Sequence, residues 1–509
     1  MLSGVSVAVF DGGVDVSAGT PTHIPARLVD LTGEQPVQEF TDHGTGVTAA
    51  ALFGLVGPGD VAPQPPLSVT SYRVLPTPPE PEDVDGYWAL DQIIKTVRED
   101  SPQIVNLSVG PEIPVQDDQE PNRWTAELDQ LAWDQDVLFV VAAGNHGDQD
   151  DSQGLHRVEV PADMANGLTV GACDAPAPAK PWHRAYYSSQ GPGRAGSRVQ
   201  PAGVQFGGVD GMMFPVVRAD GTFLDDYGTS FAAPVTTHAL AELVTWLPRS
   251  NSSVLRAFAV HFAERHHNHV KMRHHVGHGR QPLSFVDTLD ASPDEVHVLF
   301  VDTVDRWELR GYQLPVPGGL TSGLNLKFTL AFASPVDPTQ ATDYTRATVD
   351  LAFRPHMQMH RMNPPRTVDA KPLVLNIRSP EAHDLMANGW KPSQEPVTRP
   401  ISGSLGGRVP EHELREAGKW ETVRRYDLSL SGSDLLEPRL ELDYVARQAG
   451  AIDRAPTQVP FALLVSITDK SRAGTLYDET TAVFSSLRPV QRTQSRVRVR
   501  SGRSPQLWY

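Results

Sequence analysis

The sequence predicts a doubly wound α/β domain with a mostly parallel sheet, followed by an all-β sandwich domain. In the first half, short apolar runs alternate with stretches that repeat at helical spacing, which is typical of strands and helices in alternation. In the second half the helical period fades, and Pro, Gly, Ser and Asp separate the apolar runs. We therefore expect one domain over residues 1–287, a second over residues 288–487 and a basic tail over residues 488–509.

The elements of the α/β half follow one another in a regular order. The apolar run Val5–Phe10 ends at a pair of glycines, and residues 44–53 carry small side chains at helical spacing. In such an order a parallel sheet is covered by helices on both faces. The further strands are expected at 67–75, 104–109 and 137–142, and the helices between them at 84–98 and 125–133.

Short apolar runs predict the strands of the sandwich. Residues 307–317 are expected to lead the chain into it as a strand. Residues 354–371 fit neither period and are predicted to form a long loop. The other strands are expected at 296–301, 324–333, 373–377, 439–445 and 461–467.

The composition argues against several classes of function. A formal net charge of -17 repels phosphate backbones and anionic membranes, so nucleic acid is not expected as a partner. The longest apolar run has eight residues, whereas a membrane span needs about 20, so no membrane association is expected. The single cysteine, Cys173, cannot form an internal disulfide, and the first residues lack the features of a signal peptide. We therefore expect a cytoplasmic protein.

Four short segments lie at predicted strand ends or helix starts, where open α/β sheets bind their ligands. Asp11 directly follows a strand, and His43 is expected to open the helix of small residues. Ser230 opens another helix, because Pro234 is tolerated only near a first turn. The segments are Ala8–Asp15, His43–Gly46, Ala142–Asn145 and Gly228–Pro234.

Ser, His and Asp side chains in these positions predict acyl transfer. A serine hydroxyl becomes a nucleophile when a hydrogen-bonded imidazole takes its proton, and a carboxylate fixes the tautomer of that imidazole. We therefore assign Ser230 as the nucleophile, His43 as the general base and Asp11 as the group that orients His43. Asn145 is the expected oxyanion donor, together with the backbone N–H of Ser230.

Over roughly residues 4–285 the sequence resembles the subtilisin-like serine peptidases, the subtilases. The order Asp, His, Asn, Ser is that of the family, and Gly-Thr-Ser-Phe-Ala-Ala-Pro at 228–234 is the most specific motif. The resemblance implies a subtilisin-like fold, the same four catalytic residues and two backbone edges that hold an extended peptide. One edge would consist of Asn106, Leu107, Ser108, Val109 and Gly110, and the other of Ala142, Ala143 and Gly144.

The sequence departs from the family pattern at three points. Gly12 stands where Ser or Thr is common, and Gly46 stands where a second His is common. The position of Asp11 leaves no room for the propeptide of secreted subtilases. We expect an intracellular member that folds unaided, and an upstream segment missing from this sequence is the alternative.

The second half resembles the C-terminal part of bacterial subtilase-like proteins encoded beside an AAA-type ATPase. This resemblance implies an AAA-type ATPase or another regulatory protein as a partner. The chain has no P-loop of its own, since Gly-x4-Gly-Lys-Ser/Thr does not occur. The residues that carry the resemblance are Gly277–Arg280, Tyr312–Pro317 and Pro460–Leu464.

No metal site and no required cofactor are predicted. Seven of the 18 histidines lie between His261 and His278, but no His-Glu-x-x-His motif or Cys pair accompanies them, so a solvated segment is expected there. The acidic runs Asp117–Glu120 and Asp148–Asp151 are predicted to be solvated loops, with Ca²⁺ binding as the alternative.

The sequence thus predicts an intracellular, partner-regulated serine endopeptidase that acts on polypeptides. One alternative is a catalytically dormant subtilase fold that binds peptides as a subunit of a larger complex. The four intact catalytic groups argue against it. An esterase or amidase on small acyl substrates would use the same triad, but the two peptide-holding edges favour a peptidase.

Overall fold

The structure, a computed structural model, describes residues 5–16, 23–62, 65, 67–78, 83–116, 118–269, 271–399, 410, 412–413, 418–447, 455–471 and 473–488. The predicted basic tail lies outside these residues except for Arg488, and Asp117 of the first acidic run also lies outside them. A parallel sheet occupies the first half and antiparallel sheets the second, which confirms the predicted fold class. The domain bounds at 287 and 487 stay predictions.

A seven-stranded parallel sheet forms the centre of the first half. Its strands are β1 (Ser6–Asp11), β2 (Arg27–Asp30), β3 (Ser68–Arg73), β4 (Ile104–Leu107), β5 (Leu138–Ala142), β6 (Leu168–Cys173) and β7 (Gly203–Phe206). They lie in the order β2-β3-β1-β4-β5-β6-β7, and every neighbouring pair is parallel. The carboxyl ends of β1, β4 and β5 therefore lie side by side.

Helices cover both faces of this sheet. Alternate residues of β1 point to opposite sides, so that Val7 and Val9 join one core and Ala8 and Phe10 the other. The first core also contains α1 (Gln38–Phe53), α4 (Thr229–Val244) and α5 (Ser252–His261), and the second contains α2 (Tyr87–Asp100) and α3 (Arg123–Gln135). The short helix α6 (Arg273–Val276) and the hairpin β8 (Phe214–Val217) and β9 (Phe223–Asp226) complete this half.

The prediction that His43 opens a helix is wrong. Helix α1 begins at Gln38, and the N–H of Thr41 already donates to the carbonyl of Val37. His43 therefore lies in the second turn. The predicted start was too late because it followed the small residues, which begin at Gly44. The residues before them show no apolar repeat at helical spacing.

Two facing sheets form the predicted sandwich in the second half. One contains β10 (Glu295–Asp305), β19 (Gln458–Asp469), β12 (Gly323–Phe332) and β17 (Val423–Ser431), and the other contains β11 (Leu309–Gln313), β18 (Arg439–Ala446) and β13 (Ala347–Arg354). Their facing side chains share one core. A third sheet contains β15 (Leu373–Asn376), β14 (Met359–Asn363) and β16 (Lys391–Pro392), and the helices are α7 (Pro380–Ala387) and α8 (Leu476–Val483).

Strand β14 contradicts the long loop predicted for residues 354–371. His360 and Met362 are buried while Arg361 and Asn363 are exposed, which is the alternation of a strand. The mixture of His, Met, Arg and Asn hid this period, because only one of the two buried side chains is apolar.

Helix α5 joins the two halves. Val254 and Phe258 on this helix share a core with Ala331, Ala462 and Leu464 of the four-stranded sheet. The sheet is therefore packed on both faces, by α5 on one side and by the second sheet on the other. No helix in the described part of the chain is long and apolar enough to cross a membrane.

Candidate active site

The carboxyl ends of β1 and β5 place two of the four predicted catalytic residues. Asp11 is the last residue of β1, and Asn145 follows the end of β5 by three residues. The intervening strand β4 ends at Leu107 and leads into Ser108. Ligands of open parallel sheets bind at this edge, so the strand order brings the predicted groups to the expected place.

Asp11 and His43 form a hydrogen-bonded pair. His43 Nδ1 lies 2.9 Å from Asp11 Oδ1, which also accepts the N–H of Gly12 at 2.7 Å. Asp11 is 1% exposed, and its Oδ2 has no hydrogen-bond partner among the described residues. Among the described residues, the imidazole is therefore the side chain that hydrogen-bonds this buried carboxylate. The same contact fixes the orientation of the imidazole through Nδ1.

The pair changes the acidity of His43. Burial lowers the pKa of His43, but the charge and hydrogen bond of Asp11, with a contribution from Asp226, raise it more, so that the pKa lies above its ordinary value of 6.5. A raised pKa makes the imidazole a stronger base.

Close packing of α1 on the end of β1 brings His43 to Asp11. A methyl group on Gly44 would lie 2.2 Å from the carbonyl oxygen of Gly13, and one on Gly12 would lie 2.0 Å from that of Phe40. On Gly46 it would lie 2.3 Å from Val216 Cγ1. These contacts give the two departures from the family pattern a physical reason, because larger side chains at 12 and 46 would push the helix or the β8 hairpin away.

Ser230 lies in the first turn of α4. The ring of the next residue, Phe231, lies 5.6 Å from that of His43, so this turn packs against the imidazole. The carbonyl of Ser230 accepts a hydrogen bond from Ser108 Oγ at 3.2 Å. The Ser230 hydroxyl has no partner among the described residues, and catalytic contacts of this kind often tighten only when substrate binds.

Asn145 is held by its amide oxygen, which leaves its N–H groups to donate. Oδ1 accepts the backbone N–H of Thr229 at 3.0 Å and its hydroxyl at 2.9 Å. A methyl group on Gly228 would lie 3.7 Å from Asn145 Nδ2 and 3.7 Å from the nitrogen of Ser230. The two predicted oxyanion donors therefore border one small space next to Gly228.

The sequence profile of the subtilase family matches residues 3–279, more than half of the chain. This chain belongs to the subtilase family. The match ends shortly after α6 and before β10, the first strand of the second half. The family membership predicted from the four motifs is thus confirmed.

Several solved structures are similar to this subtilase. The self-cleaved protease domain of PatA is 23% identical with a TM-score of 0.41, over 56% of this chain and 96% of that one. The prenylagaramide maturation protease PagA is 21% identical with a TM-score of 0.41, over 56% and 94%. A structure of the subtilase cytotoxin SubAB is 17% identical with a TM-score of 0.43, over 56% and 89%. No curated protein matches the sequence.

The first predicted substrate edge divides into a buried and an open part. Leu107 belongs to the core, and the buried amide of Asn106 accepts from Thr237 Oγ1 and donates to Ser108 Oγ, both at 3.1 Å. Asn106 therefore supports Ser108, which in turn bonds Ser230. The backbone of Ser108, Val109 and Gly110 makes no hydrogen bond among the described residues.

The second predicted substrate edge is already engaged within the protein. The N–H of Ala143 donates to Val170, and its carbonyl accepts the N–H of Glu159, both at 3.0 Å. Gly144 donates to Thr229 Oγ1 at 3.3 Å and accepts from the N–H of Ser189 at 3.0 Å.

Sequence reasoning missed Thr229 and Glu159. Thr229 belongs to the heptapeptide of Ser230, and its hydroxyl orients Asn145, so the motif itself carried this signal. Glu159 accepts the N–H of Asn145 at 3.1 Å, although 14 residues separate the two. Nothing in the local sequence marks that contact.

The histidines between 261 and 278 are dispersed. Both ring nitrogens of His261 are hydrogen-bonded, to Thr329 Oγ1 at 2.9 Å and Ser466 Oγ at 2.6 Å. His278 is partly exposed, and desolvation of its ring lowers its pKa to about 3. His261 is therefore a packed group and not part of the solvated segment that was predicted. Across the described residues, no cluster of three or more His, Cys, Asp or Glu forms a potential metal site.

Proposed function

We propose that this subtilase is a serine endopeptidase in which Ser230, His43 and Asp11 act as a catalytic triad. The hydrogen bond of 2.9 Å between His43 Nδ1 and Asp11 Oδ1 carries the proposal. It favours the tautomer with the proton on Nδ1, which leaves Nε2 to accept the proton of a serine hydroxyl.

The proposed reaction proceeds in two stages. Ser230 Oγ bonds to the scissile carbonyl carbon as its proton passes to His43 Nε2, and the C–N bond breaks as His43 returns that proton to the leaving amine. Water then attacks the acyl ester as one of its protons passes to His43, and His43 returns that proton to Ser230 Oγ as the ester C–O bond breaks. The oxyanion of each tetrahedral intermediate is bound by Asn145 Nδ2 and the N–H of Ser230.

The substrate is proposed to be a polypeptide in extended conformation. The open backbone of Ser108–Gly110 offers hydrogen bonds along which a peptide adds as a further strand. The engaged backbone of Ala143 and Gly144 is proposed to shape the opposite wall rather than to pair with the peptide.

We also propose that the enzyme works in the cytoplasm and that a partner protein, such as an AAA-type ATPase, regulates it. Cys173 is the single cysteine and is buried, and burial raises its pKa to about 12, so that it stays a thiol. The proposed partner rests on the sequence of the second half. Low basal activity on unfolded casein is the expected result for the isolated protein, and strong activity would contradict regulation by a partner.

Labelling with a fluorophosphonate probe tests the proposed chemistry. The wild type is expected to be labelled on Ser230, and Ser230→Ala is expected to remain unlabelled. The experiment is repeated with lysate of the source cells, because labelling in lysate alone would identify an activating partner. A folded wild type that stays unlabelled in both conditions would favour the dormant peptide-binding subunit.

A further inference from the structure

Glu159 lies between the two predicted substrate edges. A methyl group on Gly144 would lie 2.4 Å from Glu159 Oε1, and one on Gly110 would lie 2.6 Å from the carbonyl oxygen of Val160. The N–H of Glu159 donates to Ala143, and that of Val160 donates to Ile113, both at 3.0 Å. The pair Glu159–Val160 therefore forms a fixed floor from one edge to the other.

The carboxylate on this floor uses only one of its two oxygens within the protein. Oε1 lies 2.7 Å from His146 Nδ1, 3.1 Å from the nitrogen of Asn145 and 3.3 Å from Ser189 Oγ. Oε2 has no hydrogen-bond partner among the described residues and is not one of the fully buried atoms. The side chain is 13% exposed, so this oxygen remains accessible.

The charge of Glu159 has no strong cation beside it. No Lys or Arg of the described chain forms an ion pair with it, and the one ion-pair partner is His146, whose side chain is 40% exposed. The floor therefore presents a carboxylate without a lysine or arginine beside it among the described residues. A partly buried carboxylate in this state gains most from a cation that also donates hydrogen bonds.

The floor adjoins the reacting atoms of the proposed mechanism. Glu159 bonds the backbone of Asn145, whose side-chain amide is the proposed oxyanion donor. A substrate carbonyl bound by that amide belongs to the residue before the scissile bond. The side chain of that residue is attached to the carbon next to this carbonyl. Because Glu159 contacts Asn145 itself, a long side chain at this position lies within reach of the floor.

We propose that Glu159 selects substrates with Lys or Arg immediately before the scissile bond, an inference that rests on the proposed peptidase function. The carboxylate acts through Oε2, which accepts a charge-assisted hydrogen bond from the ammonium or guanidinium group. Oε1 meanwhile holds Asn145 and His146. A neutral side chain in the same place would leave the charge without compensation.

The test uses two peptidyl phosphonate probes that react with the full-length protein and differ only in the side chain next to phosphorus, lysine in one and norleucine in the other. The wild type is expected to react at least about 10-fold faster with the lysine probe, the range for one charge-assisted hydrogen bond. Glu159→Gln is expected to bring the ratio close to one. Glu112→Gln removes the same charge from an exposed position on the neighbouring loop and should keep the wild-type ratio.

Each other result overturns the inference in a recognisable way. Equal rates of the two probes in the wild type, or an unchanged ratio in Glu159→Gln, would show that the carboxylate does not select the side chain. An equal fall in the reaction rate of both probes in Glu159→Gln would show that the carboxylate only holds Asn145. Failure of an uncharged fluorophosphonate to label Ser230 in the wild type would instead remove the proposed function, and this inference with it.

Discussion

The proposed active site and the junction between the two halves both depend on polar side chains, but they use them differently. At the site Asp11 Oδ2 and the Ser230 hydroxyl lack a partner among the described residues, and the amide nitrogen of Asn145 faces an open space. At the junction, Asn166 and His261 use both ends of their side chains. The spare bonding capacity at the site is suited to chemistry, whereas Asn166 and His261 use theirs to hold the two halves together.

The junction is fixed by hydrogen bonds between residues far apart in sequence. Asn166 donates to the carbonyl of Ser334 at 2.8 Å and accepts its N–H at 2.9 Å. Arg256 donates to the carbonyl of Phe332 at 3.0 Å and to Thr422 Oγ1 at 2.6 Å. Residues of the subtilase region thus bond β-sandwich residues directly, and the two halves are expected to unfold together.

Replacing Asp11 by Asn should cause the largest loss of activity. The change removes the charge that stabilises protonated His43 and favours the wrong tautomer, so kcat is expected to fall about 10⁴-fold. Peptide hydrolysis, measured beside the thermal transition, separates this loss from unfolding. Asp15→Asn is the matched control, since Asp15 accepts a hydrogen bond from Gln38 rather than from His43. A comparable loss of kcat in Asp15→Asn would identify Asp15 as the triad carboxylate.

Asn145→Ala should lower kcat about 10² to 10³-fold, the range for removal of one oxyanion donor. KM should change little, because the donor acts mainly in the transition state. Thr229→Val removes one of the two bonds that orient the amide and should cost less. If turnover of Asn145→Ala equals that of the wild type, Asn145 has no part in the mechanism.

At the junction, Asn166→Ala should lower the free energy of unfolding by about 3 kcal/mol, because it leaves buried groups of Ser334 and Asp129 unpaired. Labelling of Ser230 in the remaining folded protein should keep its rate. Asn363→Ala, at an exposed strand end, should change stability by less than about 0.5 kcal/mol. Denaturant unfolding measures the free energy of unfolding of both variants. Equal losses would show that Asn166 stabilises the fold no more than an exposed residue does.

Sequence reasoning located the groups that lie within a few residues of a strand end. Asp11 was identifiable because an apolar run precedes it and two glycines follow it directly. Asn145 was identifiable because an apolar run that ends in Ala142–Gly144 precedes it. The position of His43 inside α1 was missed, since Phe40 is the single apolar residue between Gln38 and His43 and cannot show a helical repeat. Glu159 and the Asn166–Ser334 contact were out of reach, because packing joins segments that are 14 and 168 residues apart.

The pH dependence of Ser230 labelling tests most directly whether Asp11, His43 and Ser230 act as one unit. His43 must be neutral to accept the proton, so the rate should fall as the pH decreases through its pKa. Because Asp11 raises that pKa, the midpoint in the wild type should lie above 6.5, and in Asp11→Asn it should move to lower pH at a much lower plateau. A wild-type rate that does not vary between about pH 5 and 9, or a midpoint that Asp11→Asn leaves in place, would contradict the triad.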